Sequence, residues 1–278
     1  MKNFRELSKI FSSKCIENLA SGDISQIEGA SSFYSEVLPS AFTPVDVFEA
    51  CYKDLSKNYR SEYFFKNVVA NKIVLGKHKL STATLLSEFR VENSKADCVI
   101  LNGSSTCYEI KSELDNFSRL NDQLKSYKKI FDKIYVVVAE GHKKFVVDNV
   151  DESVGLIVLT GRNTLSEVRV ATQNKNKIDP GVLIRSLRKN EYIEIASMLS
   201  GVAPDLVNTE IFHWCESVFF QADNDLLRSA FCSTLKKTRR ADKEFSLELP
   251  SQLLMAGLRL KMSHAKRKNL LRILNSPI

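Results

Sequence analysis

The sequence predicts an α/β fold in which a small mixed sheet is flanked by helical regions at both ends of the chain. Three short β-rich segments separated by turn residues occupy residues 82–111. A helical pattern and the apolar segment Lys133–Ala139 follow them, and helical periodicity resumes at Pro180 and continues to the end. Two strands connected by a helix are typically parallel, so this order indicates a mixed sheet.

The N-terminal helical region is predicted to span residues 1–57. Its clearest signal is "TPVDVFEACYKDL", in which Thr43 is a suitable N-cap, Pro44 occupies the first helical position and Asp46 is at the third. The next helix, "SEYFFKNVVANKIVLG", lies beyond this region, at the start of the central region; it carries Glu62 and has apolar residues at spacings of four.

The central region, residues 58–172, contains the predicted sheet. The segments "TATLLSEFRV", "KADCVILN" and "STCYEIK" read as three antiparallel strands because good turn sequences separate them. Asp115 or Asn116 is predicted to cap the following helix, whose apolar face extends to Phe131. "VGLIVLTG" is predicted to be another strand that "LSEVRVA" can pair with, and "TQNKNKIDPG" marks the boundary to a helical region at 180–278.

Composition limits the possible classes of protein. The longest strongly apolar stretches are far too short to cross a bilayer, and the N-terminus lacks the apolar core of a secretory signal, so we expect a cytoplasmic protein without a membrane partner. The six cysteines and four histidines are scattered without metal-binding spacing. No nucleotide-binding glycine loop, serine-hydrolase motif or H-E-x-x-H motif is present.

The positive charge is concentrated at the C-terminus. From Arg228 onward there are 12 Lys or Arg and 3 Asp or Glu, whereas the whole chain has a net charge of only +7. This basic region favours a polyanion partner, and Lys266, Arg267 and Lys268 are the predicted nucleic-acid contacts within it. A solvated helix face would explain the same charges.

An acidic and basic constellation falls on two neighbouring predicted strands. In "STCYEIK", strand alternation puts Glu109 and Lys111 on one face, and a hairpin with "KADCVIL" can bring Asp97 beside them. Two nearby carboxylates repel each other unless a divalent cation joins them, and oxygen ligands favour Mg²⁺ or Mn²⁺. A lysine could then orient water or neutralise phosphate charge. The set therefore predicts metal-assisted phosphodiester hydrolysis.

Asp97, followed by Glu109-Ile110-Lys111 on the next strand, resembles the motif of the restriction-endonuclease-like PD-(D/E)XK nuclease superfamily. Ala96 replaces the proline of that motif. Gln123 and Tyr127 resemble the Q-x-x-x-Y element of its exonuclease-like branches. Residues 59–160 are similar to an uncharacterised bacterial and phage nuclease-like family within the superfamily.

The resemblance implies a restriction-endonuclease-like core, made of a helix, a three-strand meander, a helix and a strand, and a Mg²⁺-dependent or Mn²⁺-dependent DNA endonuclease acting on duplex DNA. Asp97 and Glu109 would hold the metal, and Lys111 would position or activate water. Gln123 would orient Lys111 or touch the nucleic acid. Tyr127 would contact nucleic acid or belong to the core.

An auxiliary acid, a homodimer and a defence role are further implications of the resemblance. Glu62 is favoured as the additional metal ligand, with Glu88 as its rival. Many nucleases of this fold act as dimers, and a role in defence against phages or mobile elements would suit the family. The competing hypotheses are a non-catalytic nucleic-acid-binding module and a partner-binding accessory protein. The choice between DNA and RNA stays open at this stage.

Overall fold

The computed structural model describes residues 3–76 and 82–278, which form two compact units. One unit contains the described residues up to Gly76 together with those from Ala241 onward, and the other runs from Thr82 to Arg240. The first unit is helical, whereas the second combines a six-stranded sheet with helices. No helix within the described ranges is long and apolar enough to cross a membrane.

The N-terminal part of the helical unit begins with short helices and continues into longer ones. The Thr43 side chain accepts a hydrogen bond from the Asp46 N–H, and the Asp46 carboxylate accepts one from the Thr43 N–H. This reciprocal pair confirms the cap predicted from the sequence. The helices are α1 (Phe4–Leu7), α2 (Ser13–Ala20), α3 (Ser25–Ser31), α4 (Pro44–Asn58) and α5 (Glu62–Val69), and α5 continues as a π-helical segment at Ala70–Leu75.

The sheet of the second unit has its strands in the order in which they occur along the chain. The first three strands form an antiparallel meander, the third, fourth and fifth strands are parallel, and the sixth returns antiparallel to the fifth. These directions confirm the predicted meander and the parallel pair across the helical connection, and the last strand pairs with its predecessor as predicted. The strands are β1 (Thr84–Val91), β2 (Ser94–Leu101), β3 (Ser105–Lys111), β4 (Lys133–Ala139), β5 (Gly155–Leu159) and β6 (Leu165–Arg169).

Strand β1 changes face partway along its length. Leu86, Phe89 and Val91 all belong to the same buried apolar cluster, although strict alternation would place Leu86 on the opposite face from the other two. Glu88 lies between them with a φ of 59°. A left-handed residue inside a strand shifts the alternation, so the backbone at Glu88 turns both halves of β1 toward one core.

Helices between and after the strands complete the sheet unit. Arg228 forms an ion pair with the buried Asp132, which also accepts hydrogen bonds from Ser105. The Phe231 ring packs against Phe89 with centroids 6.2 Å apart. These contacts tie the helix Asn224–Thr238 to the sheet. The helices are α6 (Leu120–Tyr127), α7 (Lys143–Asn149), α8 (Pro180–Ser186), α9 (Lys189–Ser200), α10 (Asn208–Gln221) and α11 (Asn224–Thr238).

The last three helices belong to the helical unit and not to the sheet unit. Leu270 and Leu274 are buried in the same apolar cluster as Phe48, which explains why the end of the chain joins the N-terminal helices. The unit boundaries therefore differ from the three predicted regions, because the helical residues after 180 divide between two cores. The helices are α12 (Lys243–Glu248), α13 (Leu254–Arg259) and α14 (His264–Leu274).

The helix after β3 starts later than predicted. Neither Asp115 nor Asn116 caps α6, which begins at Leu120. The Asp115 carboxylate instead accepts hydrogen bonds from the N–H and hydroxyl of Ser112. The Asn116 side chain likewise accepts hydrogen bonds from the N–H and hydroxyl of Ser118. These local turns, typical of Asp and Asn, hold the segment between β3 and α6 in a non-helical conformation.

Candidate functional site

Strands β2 and β3 bring Asp97, Glu109 and Lys111 to one place. The antiparallel register pairs Cys98 with Tyr108 and Val99 with Cys107, and its continuation sets Asp97 opposite Glu109. Residues directly opposite on neighbouring strands share a face and approach closely. Glu109 is 2% exposed and Lys111 is 9% exposed, whereas Asp97 is partly exposed. The three predicted site residues therefore meet at a site that is buried on the β3 side and accessible at Asp97.

The carboxylate of Glu109 is held at both oxygens. The Tyr127 hydroxyl donates a hydrogen bond to Oε2 over 2.9 Å, and Lys111 Nζ lies 3.1 Å from Oε1. Burial and the neighbouring negative charge of Asp97 raise the pKa of Glu109 to about 7, against the lowering effect of Lys111 and Tyr127. Glu109 therefore sits where its charge is costly, and a cation between it and Asp97 would relieve that cost.

Helix α6 supplies two side chains that position this pair. Gln123 Oε1 accepts a hydrogen bond from Lys111 Nζ over 2.9 Å. Tyr127 lies one turn later on the same helix, so both side chains face the end of β3. Tyr127 is fully buried, and burial with the Glu109 charge raises its pKa strongly. Its hydroxyl stays a donor to Glu109, so Tyr127 positions the acid and is not exposed for the nucleic-acid contact that was predicted.

Asp97 is fixed by the backbone of the next strand. Its Oδ2 accepts a hydrogen bond from the Ile110 N–H over 2.8 Å. The β1–β2 register pairs Ser87 with Cys98 and Phe89 with Ala96, so Glu88 stands opposite Asp97 on the other side. Asp97 on the central strand β2 therefore lies between Glu88 on β1 and Glu109 on β3.

The acids are chemically suited to a hard divalent cation. Glu88 and Asp97 each offer a carboxylate oxygen, and these two oxygens lie within 4.8 Å of each other. A cation with oxygen bonds of about 2.0–2.6 Å can join oxygens at such a separation. Glu88 also forms an ion pair with Lys95, whose ammonium a cation would replace. Carboxylate oxygens of this kind are the ligands that Mg²⁺ and Mn²⁺ prefer, so Glu88 and Asp97 are suited to such a cation.

Glu62, favoured over Glu88 from the sequence, is the first residue of α5 in the helical unit. Its carboxylate pairs with Lys66 one turn later, at 2.5 Å. Within the unit that contains Asp97, Glu88 and Glu109 are the acids opposite it on the two neighbouring strands. The sequence indicated Glu88 as a possible metal ligand only through its position on the first strand. The left-handed backbone conformation of Glu88 could not be predicted from the sequence.

The predicted C-terminal contacts lie on α14 in the helical unit. Lys266 and Lys268 are exposed, as a nucleic-acid contact requires. Arg267 instead forms an ion pair with Asp242, and its guanidinium lies over the Phe245 ring at 5.6 Å. The predicted nucleic-acid contact is therefore corrected for Arg267, because its side chain ties α14 to α12.

We expect Glu88→Gln to weaken Mn²⁺ binding about tenfold or more, since neutralising a ligand removes a charged oxygen from the cation. Calorimetric titration of the variant checks this. Glu62→Gln is the comparison for the preference drawn from the sequence, and Glu152→Gln, an exposed acid in the sheet unit, is the control. A larger loss from Glu62→Gln than from Glu88→Gln would reverse the assignment of the auxiliary acid.

Comparison with known proteins places the chain in a family. Residues 56–253 match the family described as bacteriophage P4 protein cII. Protein cII of Enterobacteria phage P4 is 33% identical over 134 residues, a segment that covers 48% of this chain and about half of the relative, 47%. A solved protein of unknown function from Silicibacter pomeroyi is 17% identical with a TM-score of 0.33, covering 52% of this chain and 94% of its own. Because the family match covers more than half of the 278 residues, the chain belongs to the bacteriophage P4 protein cII family.

Proposed function

We propose that this protein is a metal-dependent nuclease that hydrolyses phosphodiester bonds on a restriction-endonuclease-like core. The observation that carries the proposal is the convergence of Asp97, Glu109 and Lys111 at the end of β3, with Gln123 bonded to the lysine. Paired carboxylates beside a positioned ammonium are the equipment for metal-assisted hydrolysis of a phosphodiester. The six-stranded mixed sheet is compatible with such a core.

The carboxylates would hold the cation. Asp97 and Glu109 are its primary ligands in this proposal, and Glu88 is the auxiliary one. Bound Mg²⁺ or Mn²⁺ supplies charge stabilisation at the phosphate and lowers the pKa of a coordinated water. The Ile110 N–H and the Tyr127 hydroxyl keep the two primary carboxylates in place before any substrate arrives. Such preorganisation limits the reorganisation needed during the reaction.

Lys111 would act on the water or on the phosphate. An ammonium has three N–H donors. In the structure Nζ contacts Glu109 Oε1 and donates to Gln123 Oε1, which leaves a donor for a substrate oxygen. Gln123 can only accept this bond through its carbonyl, so it fixes the direction of the lysine side chain. Gln123 is therefore a positioning residue in this proposal.

Lys111→Ala should slow cleavage by about 100- to 1,000-fold, the usual cost of removing one preorganised donor, while metal affinity is retained. Lys111→Arg should rescue little, because a planar guanidinium cannot replace a compact ammonium between Glu109 and Gln123. Single-turnover rates at saturating Mg²⁺ measure the effect. The control is Lys125→Ala, an exposed lysine on the same helix as Gln123. Wild-type rates for Lys111→Ala would contradict this role.

A direct assay tests the proposed activity. Purified protein is incubated with linear, circular and single-stranded DNA, and with RNA, in Mg²⁺ or Mn²⁺. We expect product with at least one substrate, and chelation of the metal with EDTA should abolish it. Nicking or opening of circular DNA would assign endonuclease activity. If none of these substrates is cleaved in either metal, the proposal is wrong.

A non-catalytic nucleic-acid-binding or partner-binding protein on the same scaffold is the second candidate. One observation favours it: Glu109 is buried and both of its oxygens already have protein partners. A polar network satisfied in this way can serve stability alone. Calorimetry separates the two candidates. The nuclease should bind Mn²⁺ and lose that binding in Asp97→Asn, whereas the scaffold protein should bind no Mn²⁺ at this site.

The exposed Lys266 and Lys268 of α14 would contact the phosphates of the nucleic acid in this proposal. Charge reversal of Lys266 and Lys268 should lower DNA affinity and flatten the log–log salt dependence by about 2, since each neutralised phosphate contributes roughly 0.9 for duplex DNA. Arg267→Ala should instead lower the unfolding midpoint, because it breaks the ion pair with Asp242. Salt titrations of DNA binding and thermal unfolding measure the two effects. An unchanged slope in the double variant would assign these lysines to a solvated face.

A further inference from the structure

An aromatic pair lies on the segments that follow β3 and β4. The parallel register pairs Lys111 with Val138, so the segments that follow β3 and β4 leave the sheet at the same edge. Phe117 is in the segment after β3, and Phe145 is on α7 after β4. Their ring centroids are 4.5 Å apart. The carboxyl edge of parallel strands is the usual position of ligands in α/β sheets, so this pair lies where a substrate would approach.

Core packing does not account for Phe145. Its side chain is 43% exposed, and Leu114 in the segment after β3 is 61% exposed. Phe117 is half-buried between Phe145 and the His142 ring, which it meets edge-on at 4.9 Å. Phe117 is thereby held in place, whereas Phe145 presents part of its ring to solvent. A held aromatic pair with one exposed ring can accept another flat group.

Exposed cations flank the pair. Arg119 follows Phe117 by two residues, and Lys143 and Lys144 directly precede Phe145; all three are exposed. Glu113 and Glu140 are exposed in the same segments, so net charge alone does not select a polyanion here. The combination of an aromatic surface with neighbouring cations is typical of single-stranded nucleic-acid binding, in which bases stack and the backbone meets Lys or Arg.

We infer that Phe145, held by Phe117, is a stacking site for an unpaired nucleobase, and that Lys143 and Lys144 contact the adjacent backbone. The inference rests on the proposed function, because the stacked base would belong to the strand that Asp97 and Glu109 cleave. It also specifies the substrate class. The base faces of a duplex are covered by their neighbours, so the site takes a single strand, an overhang or an unpaired loop, in contrast to the duplex expected from the sequence.

Binding measured without cleavage tests the site. Fluorescence anisotropy with labelled single-stranded and duplex DNA of equal length is performed in EDTA. Phe145→Ala should lower single-strand affinity about 5- to 150-fold, the range found for loss of one stacked base, and leave duplex affinity unchanged. Phe145→Trp should restore binding. Val147→Ala is the matched control, because Val147 is 47% exposed on the same helix and offers no ring.

The outcomes separate this inference from the proposed function. Suppose that wild type cleaves DNA, but Phe145→Ala keeps wild-type affinity for single strands, or Val147→Ala loses as much affinity as Phe145→Ala. The stacking site is then wrong and the nuclease proposal stands. If Phe145→Ala alone loses binding and wild type cleaves nothing, the stacking site stands and the nuclease is wrong. Wild type that binds no single strand overturns the inference and leaves the exposed ring to a protein partner.

Discussion

Asp97→Asn should reduce Mg²⁺-dependent cleavage by about a thousandfold or more. A metal that stabilises the transition state by several kcal/mol contributes at least that factor, because each 1.36 kcal/mol is about tenfold in rate. Asparagine keeps the size of the side chain and an oxygen that can still accept the Ile110 N–H, which Asp97 now holds at 2.8 Å. Only the charge toward the cation is lost. Single-turnover rates at several Mg²⁺ concentrations measure the change.

The control for this variant is Asp122→Asn, which neutralises an exposed acid of the same unit that pairs with Lys125 on α6. It should cleave at the wild-type rate. Thermal unfolding of Asp97→Asn should stay close to wild type, which separates loss of metal from loss of fold. Cleavage within about tenfold of wild type at saturating Mg²⁺ would remove Asp97 from the metal site.

The sequence predicted the β2–β3 part of the site because its determinants are local. Strand alternation placed Glu109 and Lys111 on one face, and the turn between β2 and β3 set the hairpin that brings Asp97 opposite Glu109. The spacing of Gln123 and Tyr127 likewise put both on one side of a helix. These placements depend on residues that lie close together along the chain, and they agree with the structure.

Other features depended on contacts that the sequence pattern does not encode. The positive φ of Glu88 shifts the alternation of β1. Glycine or asparagine would have indicated such a conformation from the sequence, but glutamate does not. Arg267 belongs to a basic run, yet its partner Asp242 lies 25 residues earlier. A tyrosine at position 127 suits either a nucleic-acid contact or the core. Its hydrogen bond to the buried carboxylate of Glu109 assigns it to the interior.

Above about pH 7, where Glu109 is ionised, Glu109→Ala should destabilise the protein by about 3–5 kcal/mol, the usual cost of leaving one member of a buried ion pair alone. Lys111 would lose its counterion while only 9% exposed, and the Tyr127 hydroxyl would lose its acceptor. Glu109→Gln should cost less, because its carbonyl can still accept one of those bonds. Denaturant unfolding of both variants in EDTA measures the difference. Equal stability of Glu109→Ala and wild type would contradict the buried network.

The same residue should make stability depend on pH. Burial and the nearby Asp97 raise the pKa of Glu109 from 4.5 to about 7, so between these values the folded protein holds a proton that the unfolded chain releases. The contribution of this proton to the free energy of unfolding is complete below pH 4.5. It declines as the pH rises and is lost above about pH 7. The decline is at most ~1.4 kcal/mol per pH unit.

Unfolding measured from pH 4.5 to 8 in EDTA should therefore show wild type losing stability relative to Glu109→Gln, which cannot titrate. Glu152→Gln should follow wild type, because its exposed carboxylate is not part of the network. Parallel curves for wild type and Glu109→Gln would mean that Glu109 is ionised throughout. Saturating Mn²⁺ should release the proton and flatten the wild-type curve, because a ligating carboxylate must be ionised. That response would link the titration of Glu109 to metal binding, which an inert buried ion pair would not do.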